Sequence, residues 1–267
     1  MIPMTDVIEG VLKRDRAIVT AGLGAVTLAS WLYILAGDGM AMPGGKSAGM
    51  LDGMMAAPAT WSISYAFLMF AMWWVMMVAM MLPSAAPMIL LFVTVSRKPA
   101  KQARPSVVAL VFAAGYLAAW SAFSIAAVTV QWLLASARLL SPMMESTSLA
   151  LGGFLLVAAG IYQLTPLKDA CLRHCRSPVY FVMNRWRPGP LGAFRMGCEH
   201  GVFCLGCCWI LMGLLFYGGV MNLAWIGGLT AYVLIEKLAP MGDRIGRFTG
   251  TVLIIWGVAI LAFAAPL

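Results

Sequence analysis

The sequence predicts an all-α, polytopic membrane bundle of about seven transmembrane helices, with the N-terminus inside and the C-terminus outside. Three observations carry this. Of 267 residues, 62% are hydrophobic and 10% charged, with a mean hydropathy of +0.90, against about a quarter charged in a soluble domain. Apolar runs recur at close to bilayer-spanning length, about 20 residues for a hydrocarbon core of about 30 Å. The basic residues fall in short clusters between those runs, on alternate sides.

The runs lie near 17–36, 62–92, 106–134, 148–166, 196–219, 223–240 and 248–266, and they make residues 1–267 a single integral membrane domain. The first is expected to stay in the chain rather than act as a cleaved leader. Its charges, Lys13, Arg14 and Arg16, sit late, and no A-x-A-like site follows. The second is too long: one straight helix from Ser62 to Phe92 would rise about 46 Å. Pro83 and Pro87 in its inner half predict a break, with a tilted, proline-kinked helix as the alternative. Between the first two runs lies a loop, 37–60, rich in glycine and carrying Met40, Met42, Met50, Met54 and Met55 with Asp38 and Asp52. The stretch 167–195 has three prolines and six basic residues and reads as a short amphipathic segment on the membrane surface. Gly152-Gly153 and Gly227-Gly228 permit close helix packing, within or between subunits.

With the N-terminus inside, 16 of the 18 Lys and Arg fall on the cytoplasmic side, in 1–16, 93–105, 167–195, 241–247 and at Lys237; Lys46 and Arg138 face out. That separation follows the positive-inside rule. It also accounts for the net charge of +8 through bilayer topology and anionic lipid, so nucleic acid is not an expected partner. The expected setting is a bacterial inner membrane, multi-pass, with lipid as partner and room for other membrane subunits or a homo-oligomer. The six cysteines all lie between 171 and 208, unlike an extracellular disulfide framework.

The chemistry concentrates where the fifth run begins: Cys198-Glu199-His200-Gly-Val-Phe-Cys204-Leu-Gly-Cys207-Cys208-Trp-Ile-Leu-Met212. Residues four apart share a helix face, so His200, Cys204, Cys208 and Met212 form one stripe with Cys207 beside it. Thiolate, imidazole and thioether together suit Cu(I) or Zn(II) and not Mg or Ca. Copper is the first expectation and zinc the second. One helix cannot close such a site. Candidate partners are Cys171 and Cys175, one helical turn apart, and Glu236, an ionisable residue near the inner end of the sixth run. Buried cysteine is also an ordinary small core residue, and Glu236-Lys237 could be a snorkelling interfacial pair.

The second run adds a methionine ladder, Met69, Met72, Met76, Met77, Met80, Met81 and Met88. Met76, Met77 and Met80 are candidate neutral ligands for Cu(I), although methionine is equally a flexible core filler. The sequence holds no Walker loop, dinucleotide fingerprint, H-E-x-x-H or C-x-x-C-H motif, so neither nucleotide nor haem is expected.

Two stretches carry a resemblance: Met72-Trp-Trp-Val-Met-Met-Val-Ala-Met-Met-Leu-Pro-Ser-Ala-Ala-Pro-Met88, and Cys204-Leu-Gly-Cys-Cys-Trp-Ile-Leu-Met-Gly followed by Gly219-Val-Met-Asn-Leu-Ala-Trp and Glu236-Lys237. Over about residues 60–250 the chain resembles a bacterial family described as predicted metal-binding integral membrane proteins, a domain of unknown function. The resemblance implies metal binding and places Cys204, Cys207, Cys208 and Glu236 in the family pattern. His200, Cys198, Cys171 and Cys175 rest on spacing alone. The expected function is soft-metal handling, in transport, storage or delivery to a membrane enzyme. A metal-dependent membrane redox enzyme or an accessory subunit is the alternative, so catalysis stays open.

Overall fold

The computed structural model describes residues 4–39, 61–96, 105–141 and 144–264. The Met-rich loop residues 40, 42, 50, 54 and 55, with Asp52, and the basic residues 97, 98, 101 and 104 lie outside them. The described residues form ten helices: α1 (Met4–Gly39), α2 (Ile63–Val95), α3 (Pro105–Ser136), α4 (Leu149–Gln163), α5 (Pro166–Arg176), α6 (Pro178–Arg185), α7 (Gly189–Gly213), α8 (Leu215–Gly218), α9 (Leu223–Leu238) and α10 (Gly242–Ala264). Among the described residues, five stretches are long and apolar enough to cross a membrane: Arg14–Ala36, Ile63–Val95, Ser106–Ser136, Gly189–Gly218 and Gly242–Ala264. The pair α4 and α5, bent by 65°, makes a sixth if counted as one span. Helix α9, at 16 residues, rises about 24 Å.

Local sequence marks the helix ends. The Ser62, Ser148, Thr165 and Asn222 side chains accept backbone N–H bonds from Tyr65, Leu151, Lys168 and Trp225, capping α2, α4, α5 and α9. Pro166, Pro178 and Pro190 sit in the first turns of α5, α6 and α7, where a missing N–H costs nothing.

Helix α2 is apolar all round and is the buried centre of the bundle, as such a composition requires. The break expected at Pro83 and Pro87 is absent: α2 runs continuously through both. The Met81 carbonyl there accepts the Ser84 hydroxyl at 2.8 Å and the Tyr116 hydroxyl at 3.1 Å. The second bond ties the proline-bearing stretch to α3.

Close packing follows small residues. A Cβ on Gly197 of α7 would lie 2.0 Å from the Phe112 carbonyl oxygen, and one on Gly115 of α3 would lie 2.2 Å from that of Phe194. Helices α3 and α7 therefore approach backbone to backbone, the geometry that glycine allows between membrane helices. Helices α4 and α10 do the same, with Gly153 facing Gly257 and Gly160 facing Gly250. Gly227 and Gly228 of α9, by contrast, face open space. Gly197→Ala is expected to cost about 2–3 kcal/mol, the upper range for overpacking, because the obstructing atom belongs to the backbone. Thermal unfolding in detergent checks this, with Gly228→Ala as the neutral control.

The stretch 167–195 differs from its surface reading. Helix α5 folds back onto α7, and the Cys171 sulfur would lie 2.6 Å from a Cβ on Gly206. Lys168 and Leu172 are buried. Helix α7 begins at Gly189, ahead of the 196 expected from hydropathy. The amphipathic pattern was genuine, but the apolar face of α5 finds protein as its partner.

Candidate metal centre

Helix α7 buries one long face, with His200, Cys204, Cys207, Cys208, Leu211 and Met212 all on it. The fourfold spacing in the sequence thus becomes a physical stripe, against α3, α5 and α9, with Met81 of α2 reaching Cys208.

Cys204 is the hub. Its sulfur lies 2.9 Å from the Lys237 ammonium and 3.1 Å from the Tyr116 hydroxyl. Lys237 also donates to the Ser84 hydroxyl at 3.2 Å. Three elements therefore meet at one sulfur, α3 through Tyr116, α7 through Cys204 itself and α9 through Lys237, and α2 joins them indirectly through the Ser84–Lys237 bond. The Cys207 and Cys208 thiols both turn back to donate to the Cys204 carbonyl oxygen, each at 3.0 Å. Cys208 also lies 4.0 Å from the Met81 thioether sulfur. Half-buried Cys175 of α5 lies near Cys204 and Cys207.

The result is a group of three buried thiols and a thioether, with half-buried Cys175 nearby. All six cysteines are free. In the conformation described, two thiols are engaged with a backbone carbonyl. Among the described residues no set of three or more His, Cys, Asp or Glu side chains is already disposed to hold a metal ion. The donor chemistry nonetheless fits a soft ion such as Cu(I).

The other expected residues divide. His200 is buried, with its ring 5.5–6.1 Å from those of Phe181, Tyr116 and Phe112. Its Nδ1 has no hydrogen-bond partner, which leaves a buried donor atom on the cysteine face. Cys198 lies on another face of α7 and is half-buried. Its neighbour Glu199 pairs with Arg187 at 2.6 Å. Met76, Met77 and Met80 are buried in α2, but Met81 is the methionine that reaches a cysteine.

Glu236 does not face the sulfurs. It pairs with Lys168 from α5, both side chains 1% exposed, and accepts the Tyr232 hydroxyl at 3.2 Å. A Cβ on Gly246 would lie 2.5 Å from a Glu236 carboxylate oxygen, so the glycine makes the room for it. This pair tethers α5, and with it Cys171 and Cys175, to α9. Lys237, one residue on, takes the place beside the cysteines that Glu236 was expected to occupy. The sequence flagged the Glu-Lys pair, but the choice between them depends on which side of α9 faces α7. Tyr116 carried no local signal at all.

No curated protein and no solved structure matches the chain. The sequence model of a family described as a copper chaperone, PpoB2, matches residues 70–260. The metal-related expectation therefore holds as a copper one, under a different family name from the resemblance above. The match includes α7, α9 and nearly all of α2, and so every residue around Cys204. The chain belongs to the PpoB2 copper chaperone family.

Proposed function

We propose that this protein is a membrane-embedded copper chaperone that carries Cu(I) on the Cys204, Cys207 and Cys208 thiols, with Cys175 and Met81 completing the donor set, and surrenders it to a copper-dependent enzyme of the same membrane. The observation that carries this reading is the grouping of three buried thiols and a thioether in the centre of a copper-chaperone family chain. Copper is the cargo. On arrival the Cys207 and Cys208 thiols leave the Cys204 carbonyl for the ion, and thiol ligation releases protons. Lys237, a fixed positive charge at 2.9 Å, offsets the negative charge of the loaded sulfur cluster. His200 and the α2 ladder of Met76, Met77 and Met80 serve as secondary soft donors along the same interior. Zinc would accept the thiols but gains nothing from the neutral thioethers.

The topology proposed with this function is seven spans, α1, α2, α3, α4, α7, α9 and α10, with the N-terminus in the bacterial cytoplasm. The segregation of Lys and Arg supports it. The thiols then sit in the inner half of the bilayer, with α5 and α6 folded in against α7 from the cytoplasmic side.

A chaperone must let go. Protein loaded with Cu(I) and reconstituted in vesicles is expected to transfer its copper within minutes to the chelator bathocuproine disulfonate added outside, in the fraction of molecules whose α5–α6 face is outward. Copper that stays bound against excess chelator would instead mark a resident redox centre and overturn the delivery reading.

A further inference from the structure

Away from the thiols, near the other end of α2, Met69 and Met144 meet across the side chain of Gln131. The Gln131 amide nitrogen lies 3.3 Å from each thioether sulfur. Its amide oxygen accepts the Trp73 indole N–H at 2.8 Å. An indole can only donate, so this bond fixes which end of the amide faces the sulfurs. All four side chains are buried. The lone pairs of two neutral soft donors therefore converge on one point, and the group that fills it is the positive end of an amide dipole.

Met144 reaches this point from a backbone that side-chain-bearing residues avoid. Its φ is +56°, in the left-handed region, which costs about 1–2 kcal/mol for a residue with a Cβ. Hydrogen bonds hold the segment there: the Met144 N–H to the Ser141 carbonyl at 2.9 Å, and the Ser146 N–H to the Phe216 carbonyl at 2.8 Å. Strained non-glycine backbone held by its surroundings clusters at ligand sites.

We propose that Met69 and Met144 form a second, thioether site for a monovalent soft cation, Cu(I) or its analogue Ag(I), which displaces the Gln131 amide nitrogen from between the two sulfurs. The site is distinct from the thiols. Met69 and Met81 are 12 residues apart on a continuous helix, about 18 Å along its axis, with Trp73, Met76, Met77 and Met80 buried between them. A neutral donor pair releases no proton and discriminates against Zn(II), which takes thiolate, imidazole or carboxylate ligands. This inference goes beyond the delivery reading and does not need it.

The test uses the full chain in detergent with all six cysteines replaced by serine, titrated with Ag(I). Saturable binding of about one Ag(I) per chain is expected, weakened about tenfold or more by either Met69→Leu or Met144→Leu, since each removes one of two soft donors. Zn(II) should not compete. Equal Ag(I) affinity with and without both leucines would overturn the site. If a leucine variant fails to fold, Gln131→Ala in the cysteine-free chain decides: it leaves both sulfurs and empties the point between them, so tighter Ag(I) binding is expected, and unchanged affinity overturns the proposal. Because the thiols are gone from the start, a failure here is separate from a failure of the thiol centre.

Discussion

Replacing Cys204, Cys207 and Cys208 together with serine is expected to lower the affinity for Cu(I) about a thousandfold or more, equivalent to about 4 kcal/mol. Hydroxyl oxygens are hard donors and poor ligands for Cu(I). The fold should survive, because a serine at 207 or 208 can make the same bond to the Cys204 carbonyl that the thiols make now. A serine at 204 can still accept from Lys237 and donate to the Tyr116 oxygen, whose own proton goes to the Met81 carbonyl. Among single variants, Cys204→Ser should be the most damaging, since that sulfur is bonded from both α3 and α9. Cys198→Ser should leave affinity within about twofold, because its side chain lies off the shared face. Competition titration against a Cu(I) chelator of known affinity reads all of these. A similar loss at Cys198 and Cys204 would show that the buried stripe is not the site.

The second large effect concerns the fold that holds the thiols in place. Lys168→Met alone or Glu236→Leu alone leaves one buried charge without its partner, at a cost of about 3–5 kcal/mol. Against a typical stability of about 5–15 kcal/mol that is a large share, and the expected fall in melting temperature is roughly 10 °C. The double variant Lys168→Met/Glu236→Leu should recover most of the loss, since apolar replacement of a buried pair is often neutral. Thermal unfolding in detergent gives all three values. If the two single losses simply add in the double variant, the charges do not act as a pair. Should the pair also hold α5 against α7, the single variants will lose copper affinity through displaced Cys175, and the double variant will regain it.

How much of this was legible in the sequence depends on the range of the interaction involved. The apolar runs became helices, since span length is a local property, and the fourfold spacing of His200, Cys204 and Cys208 became one buried face because helix geometry alone fixes it. For α2 the sequence left two alternatives, a kink or break at Pro83 and Pro87 or a tilted continuous helix; the choice was not legible locally, since Tyr116, 35 residues from Met81, braces the continuous stretch from another helix. Likewise α5 has the amphipathic pattern of a surface helix. Only its pairing with Glu236, 68 residues from Lys168, shows that it turns inward. The same limit explains the exchange of Glu236 for Lys237 at the sulfurs. Sequence marks an ionisable pair in an apolar run, but which member faces the metal is decided by the rotation of α9 against α7.

The most direct measurement is copper-edge X-ray absorption on reduced, Cu(I)-loaded protein, wild type beside the Cys204/Cys207/Cys208→Ser variant. A first coordination shell made of sulfur, absent from the variant, is the predicted result. A shell of nitrogen and oxygen, or identical spectra from the two proteins, would contradict the assignment of the buried thiols as the place where copper is carried.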